Sequence, residues 1–217
     1  GPRLPIGENF IGKRPDDVPG VEFIDKPEGR LVDKIWCGNM RHATMAVPGY
    51  FMGMTYSYES CGSSYIRDLT DRATLESFVG IGETYGFSQE ELAKAHSLNW
   101  EGSTNSTAKD TIARIAADPK RKLARNDRFT GTGLLCLEQG KLPFNIAKSA
   151  AYLFLYDNPD DAASAEIQAF IQANGIEKAV EKYCQLDLSD RNDSIWYQLV
   201  VGHYNDILSI KNDHKVD

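Results

Sequence analysis

The chain has 217 residues, 41% of them hydrophobic and 25% charged, which is the composition of a soluble globular protein. Its net charge of −7 argues against a nucleic-acid partner, because nucleic acids select basic surfaces. No run of 18 apolar residues is present, so we predict no membrane-spanning helix. The four cysteines include no CxxC pair, and reduced thiols in a cytoplasmic protein are the simplest interpretation.

The first 29 residues differ in composition from the rest of the chain. Five of the nine prolines fall there. Proline removes a backbone donor and fixes φ, so long helices are excluded. Short extended pieces are predicted at Leu4–Ile6 and Val21–Ile24. We therefore predict a Pro/Gly-rich, partly extended connector or arm over residues 1–29, followed by a helical domain over residues 30–217.

A mainly α, multi-helical domain is predicted from Arg30 onward, since no strand-like alternation of comparable length follows that residue. Ser88 and Glu91 have the spacing of a capping box that opens a helix. Gly86 and Gly140 are typical helix stops. The predicted helices cover Leu31–Pro48, Ser64–Leu69, Asp71–Tyr85, Ser88–Trp100, Ala108–Ala117, Asp127–Gln139, Asn145–Asp157, Asp161–Asn174, Ile176–Tyr183 and Asp190–Ser209.

Two glycine groups superficially resemble a dinucleotide-binding loop. Such a loop must follow a strand and open a helix. Residues 80–86 have the spacing GxGxxxG and end a helical pattern, and residues 131–133 follow no buried strand. We therefore predict that this chain does not bind NAD by the usual βαβ route.

A metal site is not predicted either. The four histidines form no HxxxH pair, and the cysteines do not cluster in the sequence. No pattern reaches the three or four ligands that zinc requires.

Three polar residues of different chemistry, Lys34, Asn39 and His42, fall within one short stretch of a mostly apolar helix. On a regular α-helix Asn39 and His42 lie about 60° apart, whereas Lys34 and Asn39 lie about 140° apart. The three side chains can converge on one cleft if Lys34 lies at the start of the helix. Taken alone, the stretch also fits a solvated lysine and a hydrogen-bonded histidine.

The second informative stretch is basic and covers residues 110–128. Six arginines and lysines fall within fifteen positions of an otherwise acidic protein. Such a concentration suits an anion, because guanidinium and ammonium groups form charge-assisted bonds to phosphate or carboxylate. Taken alone, it also fits a solvated loop between two helices.

Together the two stretches resemble a known family. The pattern K-x4-N-x2-H formed by Lys34, Asn39 and His42 resembles the signature of the polyol-specific long-chain dehydrogenases and reductases. Residues 118–128 and 155–159 are similar to its mannitol-1-phosphate 5-dehydrogenase branch. The resemblance covers about residues 30–186. It implies the helical C-terminal domain that this family shares with 6-phosphogluconate dehydrogenase-like proteins.

The resemblance also implies roles for individual residues. Lys34 would be the general acid/base, Asn39 would stabilise the developing oxyanion, and His42 would position a substrate hydroxyl. Arg114 and Lys122 match the family's substrate-binding arginine and lysine. On charge grounds, two further residues are candidates for the sugar phosphate: Arg121 and Arg128.

The implied reaction interconverts a sugar alcohol and a ketose with NAD and without a metal. In the family, NAD is bound mainly by an N-terminal Rossmann domain, which we expect to be absent from this chain and to be its partner. The substrate implied is a sugar-alcohol phosphate, mannitol 1-phosphate, with fructose 6-phosphate as the product. We expect the isolated chain not to turn over.

Two alternatives remain open. One is the corresponding domain of a mannitol 2-dehydrogenase or of a hexuronate (fructuronate or tagaturonate) reductase, whose substrates carry no phosphate. The other is a non-catalytic helical interaction module, which the joint presence of the five signature residues argues against.

Overall fold

The computed structural model describes residues 4–15, 17–24, 27–96, 100, 106, 107 and 109–213, with side chains as far as residue 210. Two short strands precede the helices: β1 (Leu4–Gly7) and β2 (Val21–Ile24) pair in parallel, with Leu4 opposite Val21. Both coincide with the predicted extended pieces. The helices are α1 (Pro27–Val32), a π-helical segment (Asp33–Asn39), α2 (Met40–Phe51), α3 (Ser57–Gly62), α4 (Ser64–Tyr85), α5 (Gln89–Ala95), α6 (Ile112–Ala116), α7 (Pro119–Leu123), α8 (Thr130–Glu138), α9 (Phe144–Phe154), α10 (Ala162–Tyr183) and α11 (Arg191–Asp213).

The mainly α architecture is confirmed, and several helix ends form as the sequence indicates. Gly86 adopts a left-handed conformation, with φ of 73°, and its N–H donates to the carbonyl of Gly82 to close α4. Ser88 and Glu91 form the predicted reciprocal capping box. Gly175 is non-helical inside α10, which agrees with the predicted boundary between two helices. The division of the chain at residue 29 stays a prediction.

Other boundaries were wrong. Helix α2 continues past Pro48 to Phe51, because a proline removes one hydrogen bond without preventing the next residues from bonding. The two helices predicted over residues 64–85 are one continuous helix, α4, in which the Thr70 hydroxyl donates a hydrogen bond to the Ile66 carbonyl. The helix after Ser88 ends at Ala95, short of the predicted end, and residues 97–99 lie outside the described ranges.

Three short helices were missed by the sequence analysis. Helix α1 begins at Pro27, where a proline is tolerated because the first helical N–H needs no partner. Helices α3 and α7 have six and five residues, too few for a periodic pattern. The basic stretch therefore contains two short helices, α6 and α7, separated by Ala117 and Asp118.

The core is organised around α9, which packs against α2, α4 and α11. A buried carboxylate fixes its start: Glu76 on α4 accepts hydrogen bonds from the backbone N–H groups of Asn145 and Ile146. Burial raises the pKa of Glu76, and these hydrogen bonds oppose the shift. Within the described ranges, no helix combines the length and the apolar character needed to cross a membrane.

Helix α8 is in close contact with two tryptophan rings. A Cβ atom on Gly131 would lie 2.8 Å from the ring of Trp36, and one on Gly133 would lie 2.2 Å from the ring of Trp196. Both distances are too short for a real side chain. The glycines of residues 131–133 are therefore required by packing inside a helix.

We predict opposite effects for alanine at two helical glycines. Gly133→Ala should destabilise the protein by at least about 1–3 kcal/mol, the usual cost of overpacking, because the fully buried Trp196 has no space to move. Gly202→Ala on α11 should stabilise it by up to about 1 kcal/mol through helix propensity, because the added Cβ meets no described atom within 4 Å apart from its chain neighbours and its own helical backbone. Urea unfolding followed by circular dichroism measures both. A neutral Gly133→Ala variant would contradict the close packing against Trp196.

Candidate functional site

The signature residues begin in a π-helical segment, not in the regular helix that the sequence analysis assumed. In a π-helix the hydrogen bonds join residues five apart, and the N–H of Met40 donates to the carbonyl of Ile35 accordingly. Lys34 and Asn39 are five apart, so they lie near one face. The separation of about 140° expected for an α-helix is therefore wrong.

Contacts with α8 hold this segment in place. The ring of Trp36 covers Gly131, and the Trp36 carbonyl accepts a hydrogen bond of 3.0 Å from the hydroxyl of Thr132. Lys34 is exposed and Asn39 half-buried. The face that carries them is therefore open to a ligand, while the segment itself is fixed to the core.

His42 lies one turn into α2 and meets the basic stretch there. Its Nε2 atom is 3.7 Å from Oδ2 of Asp110, and Asp110 holds Arg114 through two hydrogen bonds of 2.6 and 2.5 Å. Partial desolvation, with the positive charges of Arg114 and Arg128, lowers the pKa of His42, and Asp110 opposes this shift. Two residues far apart in sequence, His42 and Arg114, thus share one carboxylate.

Backbone pairing places Asp110 beside the start of α3. The Asp110 carbonyl accepts a hydrogen bond from the N–H of Ser57, and the N–H of Ile112 donates to the carbonyl of Thr55. The hydroxyl of Thr111 then caps α6 by accepting from the N–H of Arg114. The sequence analysis did not single out Asp110, although its position four residues before Arg114 is the spacing of a helical ion pair.

Lys122 is the lysine whose pKa the fold changes most clearly. It is only 3% exposed. Burial, reinforced by the positive charges of Arg128 and Arg121, lowers its pKa to about 8. Buried groups with strongly shifted pKa values concentrate at functional sites, which favours the substrate-binding role expected for Lys122.

Arg121 and Arg128 converge on one carboxylate, that of Asp127. Arg128 is 9% exposed and its Nε lies 2.9 Å from Oδ1, whereas Nη1 of the half-exposed Arg121 lies 3.5 Å from Oδ2. Arg121 also donates to Asp118, the residue that caps α7. The structure therefore brings the two phosphate candidates together, with their charges partly neutralised by acidic neighbours.

Most of the predicted site residues share one region of the fold. Arg114 and Arg128 both act electrostatically on His42, and Arg128 and Arg121 act on Lys122. Neither glycine group forms a strand–loop–helix unit: residues 80–86 end α4 or follow it, and residues 131–133 lie inside α8. The usual dinucleotide loop is consequently not found among the described residues, and the NAD prediction rests on the resemblance.

Sequence spacing did not reveal one further group. Asp33 and Cys37 on the π-helical segment and His96 after α5 have side-chain donor atoms that all lie within 4.8 Å of one another. Asp33 and His96 are 63 positions apart, so only the fold brings them together.

Comparison with known proteins gives the family. A family model described as the mannitol dehydrogenase C-terminal domain matches residues 31–195. The chain belongs to this family. Because its members are dehydrogenases, the family is one of oxidoreductases. The resemblance inferred from Lys34, Asn39 and His42 is thereby confirmed at the level of the family.

Individual relatives of this chain support its assignment to the mannitol dehydrogenase family. The chain is 28% identical over 184 residues to a mannitol-1-phosphate 5-dehydrogenase of Thermoanaerobacter pseudethanolicus, with 85% of this chain and 47% of the relative covered. It is 29% identical over 171 residues to the enzyme of that name from Brevibacillus brevis, with 79% of this chain and 44% of the relative covered. The chain thus spans about half the length of the curated relatives it matches.

A solved structure supports the fold. The chain matches Pseudomonas fluorescens mannitol 2-dehydrogenase, in a ternary complex with NAD and D-mannitol, with a TM-score of 0.69 and 15% sequence identity. The match covers 94% of this chain and 43% of the other. At this identity it shows a shared helical fold.

We predict that the buried charge of Lys122 lowers stability at neutral pH. The pKa of Lys122 in the folded protein, about 8, lies below the ordinary 10.5. The free-energy cost of burying the charged side chain is therefore fully present below pH 8 and is relieved as the pH rises from 8 to 10.5. Lys122→Met should therefore stabilise the protein by about 2–4 kcal/mol at pH 7, and the gain should shrink above pH 8. Thermal melts at several pH values measure this.

The matched control is Lys178→Met, because the Lys178 side chain is 69% exposed. Its effect should stay within about 0.5 kcal/mol at every pH. If Lys122→Met destabilises the protein at pH 7, hydrogen bonds or ion pairs of Lys122 offset the desolvation of its charge, and the prediction is wrong.

Proposed function

We propose that this chain is the substrate-side half of an NAD-dependent polyol dehydrogenase that interconverts mannitol 1-phosphate and fructose 6-phosphate. The observation that carries the proposal is the shared face of Lys34 and Asn39, which lies at the start of the helix that also presents His42. The names of the relatives support the phosphorylated substrate. NAD would be held mainly by a separate N-terminal domain of the Rossmann type.

The residues have distinct parts in the proposed reaction. Lys34 takes the proton of the reacting hydroxyl during oxidation and returns it during reduction. Asn39 donates a hydrogen bond to the same oxygen, where negative charge develops. His42 binds a neighbouring hydroxyl, and Asp110 fixes its orientation. A bound nicotinamide would supply or accept the hydride.

The positive groups of the basic stretch suit the phosphate end of the substrate. Arg121 and Arg128 lie close enough to Lys122 for their positive charges to contribute to its lowered pKa. Guanidinium groups bind phosphate through paired, charge-assisted hydrogen bonds. Arg114, already oriented by Asp110, would bind a substrate hydroxyl or the carbonyl side of the sugar.

One observation favours a second candidate, an enzyme acting on unphosphorylated mannitol or on a hexuronate. Arg121 and Arg128 both face Asp127, which satisfies part of their charge within the protein. Under this alternative the arginines stabilise the turn between α7 and α8. The same arrangement is compatible with a phosphorylated substrate if the phosphate displaces Asp127 from the two arginines.

We predict that Lys34→Ala will lower kcat by about 10²–10⁴-fold, which is the usual contribution of a positioned acid/base group. The measurement requires the chain joined to a nucleotide-binding domain, with mannitol 1-phosphate as the substrate. NADH affinity should barely change, because the nucleotide is bound elsewhere. Lys178→Met, at an exposed lysine outside the site, should keep full kcat. A Lys34→Ala enzyme that retains most of its kcat would remove Lys34 from the mechanism.

We predict that Arg121→Ala and Arg128→Ala, made separately, will each lower kcat/KM for mannitol 1-phosphate by about 10- to 150-fold, the value of one charge-assisted bond. The weaker activity on mannitol should be nearly unchanged. Arg72→Ala is the control, because Arg72 forms the same kind of surface ion pair with Asp68 on α4. Equal losses on both substrates would assign the arginines a structural role, and no loss would favour an unphosphorylated substrate.

A further inference from the structure

We propose that Asp33, Cys37 and His96 form a zinc-binding site that joins the π-helical segment to the end of α5. Their donor atoms, one oxygen, one sulfur and one nitrogen, all lie within 4.8 Å of one another. Mixed thiolate, imidazole and carboxylate ligands are those that Zn²⁺ prefers, and Mg²⁺ or Ca²⁺ would avoid the sulfur. Water or a nearby hydroxyl completes four-coordination.

Burial distinguishes this group from acidic clusters on the surface. Cys37 is fully buried, Asp33 is 5% exposed, and the side chain of His96 is 13% exposed. A carboxylate taken out of water needs compensating charge. Oδ1 of Asp33 lies 2.5 Å from Nε2 of His96, and its Oδ2 lies 3.9 Å from Nη1 of Arg30.

The geometry requires only a small adjustment. With metal–ligand distances of about 2.0–2.3 Å, tetrahedral ligand atoms lie roughly 3.3–3.8 Å apart. His96 must therefore withdraw by about 1 Å from Asp33, which its place just beyond α5 allows. The lack of a side chain at Gly38 gives the His96 ring space, because a Cβ atom on Gly38 would come within 3.3 Å of it.

The environment of Cys37 is compatible with a metal ligand. Its thiol is hydrogen-bonded to Ser77, whose own hydroxyl donates to the Thr74 carbonyl. Zinc binding replaces the thiol proton, which passes to solvent, and the thiolate and the Asp33 carboxylate together balance the two charges of the ion.

The site is separate from the proposed reaction, although both use the same segment. Asp33 and Cys37 lie on its buried side, whereas Lys34 is exposed. Bound zinc would tie α5 to the segment that presents Lys34 and Asn39, and so would have a structural role. The three ligands are not spaced as a metal-binding motif, so the sequence pattern does not predict this site.

The test uses the chain freed of metal with a chelator and titrated with Co²⁺, whose spectrum reports the ligands. One equivalent should produce a thiolate-to-cobalt charge-transfer band and the visible bands of a tetrahedral ion, and Zn²⁺ should displace it. His96→Asn should weaken binding by more than the roughly 10–100-fold that loss of an outer-shell partner costs. Cys37→Ser should abolish the charge-transfer band.

Cys184→Ser is the matched control, because Cys184 is equally buried but lies outside the group. A second measurement guards against a variant that fails to fold: Zn²⁺ at 100-fold excess over its Kd should raise the Tm of the unaltered chain by about 5–10 °C. The proposal is overturned if Co²⁺ gives no charge-transfer band, if the band survives Cys37→Ser, or if Zn²⁺ leaves the Tm unchanged. In those cases Asp33 and His96 form only a hydrogen-bonded pair.

Discussion

The fold depends on how closely α8 approaches its two neighbours. Trp36 and Trp196 lie against opposite parts of this helix only because Gly131 and Gly133 have no side chains. The Trp36 contact fixes the π-helical segment that carries Lys34 and Asn39, and the Trp196 contact fixes α11 to the core. The two glycines therefore connect the position of the candidate site to the packing of the whole domain.

The sequence predicted the helical class, the short strands and the family because these depend on local signals. Helix stops such as Gly86, the capping box at Ser88 and the K-x4-N-x2-H pattern act within a few residues. Short helices such as α3 and α7 were missed, since tertiary contacts rather than periodicity determine them. Pro48 was read as a stop because the sequence does not show that its neighbours remain bonded.

Site geometry was less predictable for two physical reasons. An angle per residue can be assigned only when the helix type is known, and the π-helical register moves Lys34 towards Asn39. The sequence also does not show which distant residues come together in space. A backbone bridge brings Asp110 to His42, and Lys122 becomes buried only when α7 packs against the rest of the domain. The residue types indicated the chemistry, whereas their burial and partners required the fold.

The shared carboxylate of Asp127 has a consequence for selectivity. Because it already faces Arg121 and Arg128, it would compete with an anion that binds these arginines as proposed. A ligand with a single negative charge exchanges one ion pair for another and gains little. A dianion gains from the second charge and from two guanidinium groups at once. Under the proposed function the arrangement would favour a dianion over a monoanion, and Asp127 would re-form its contacts with the arginines when the ligand leaves.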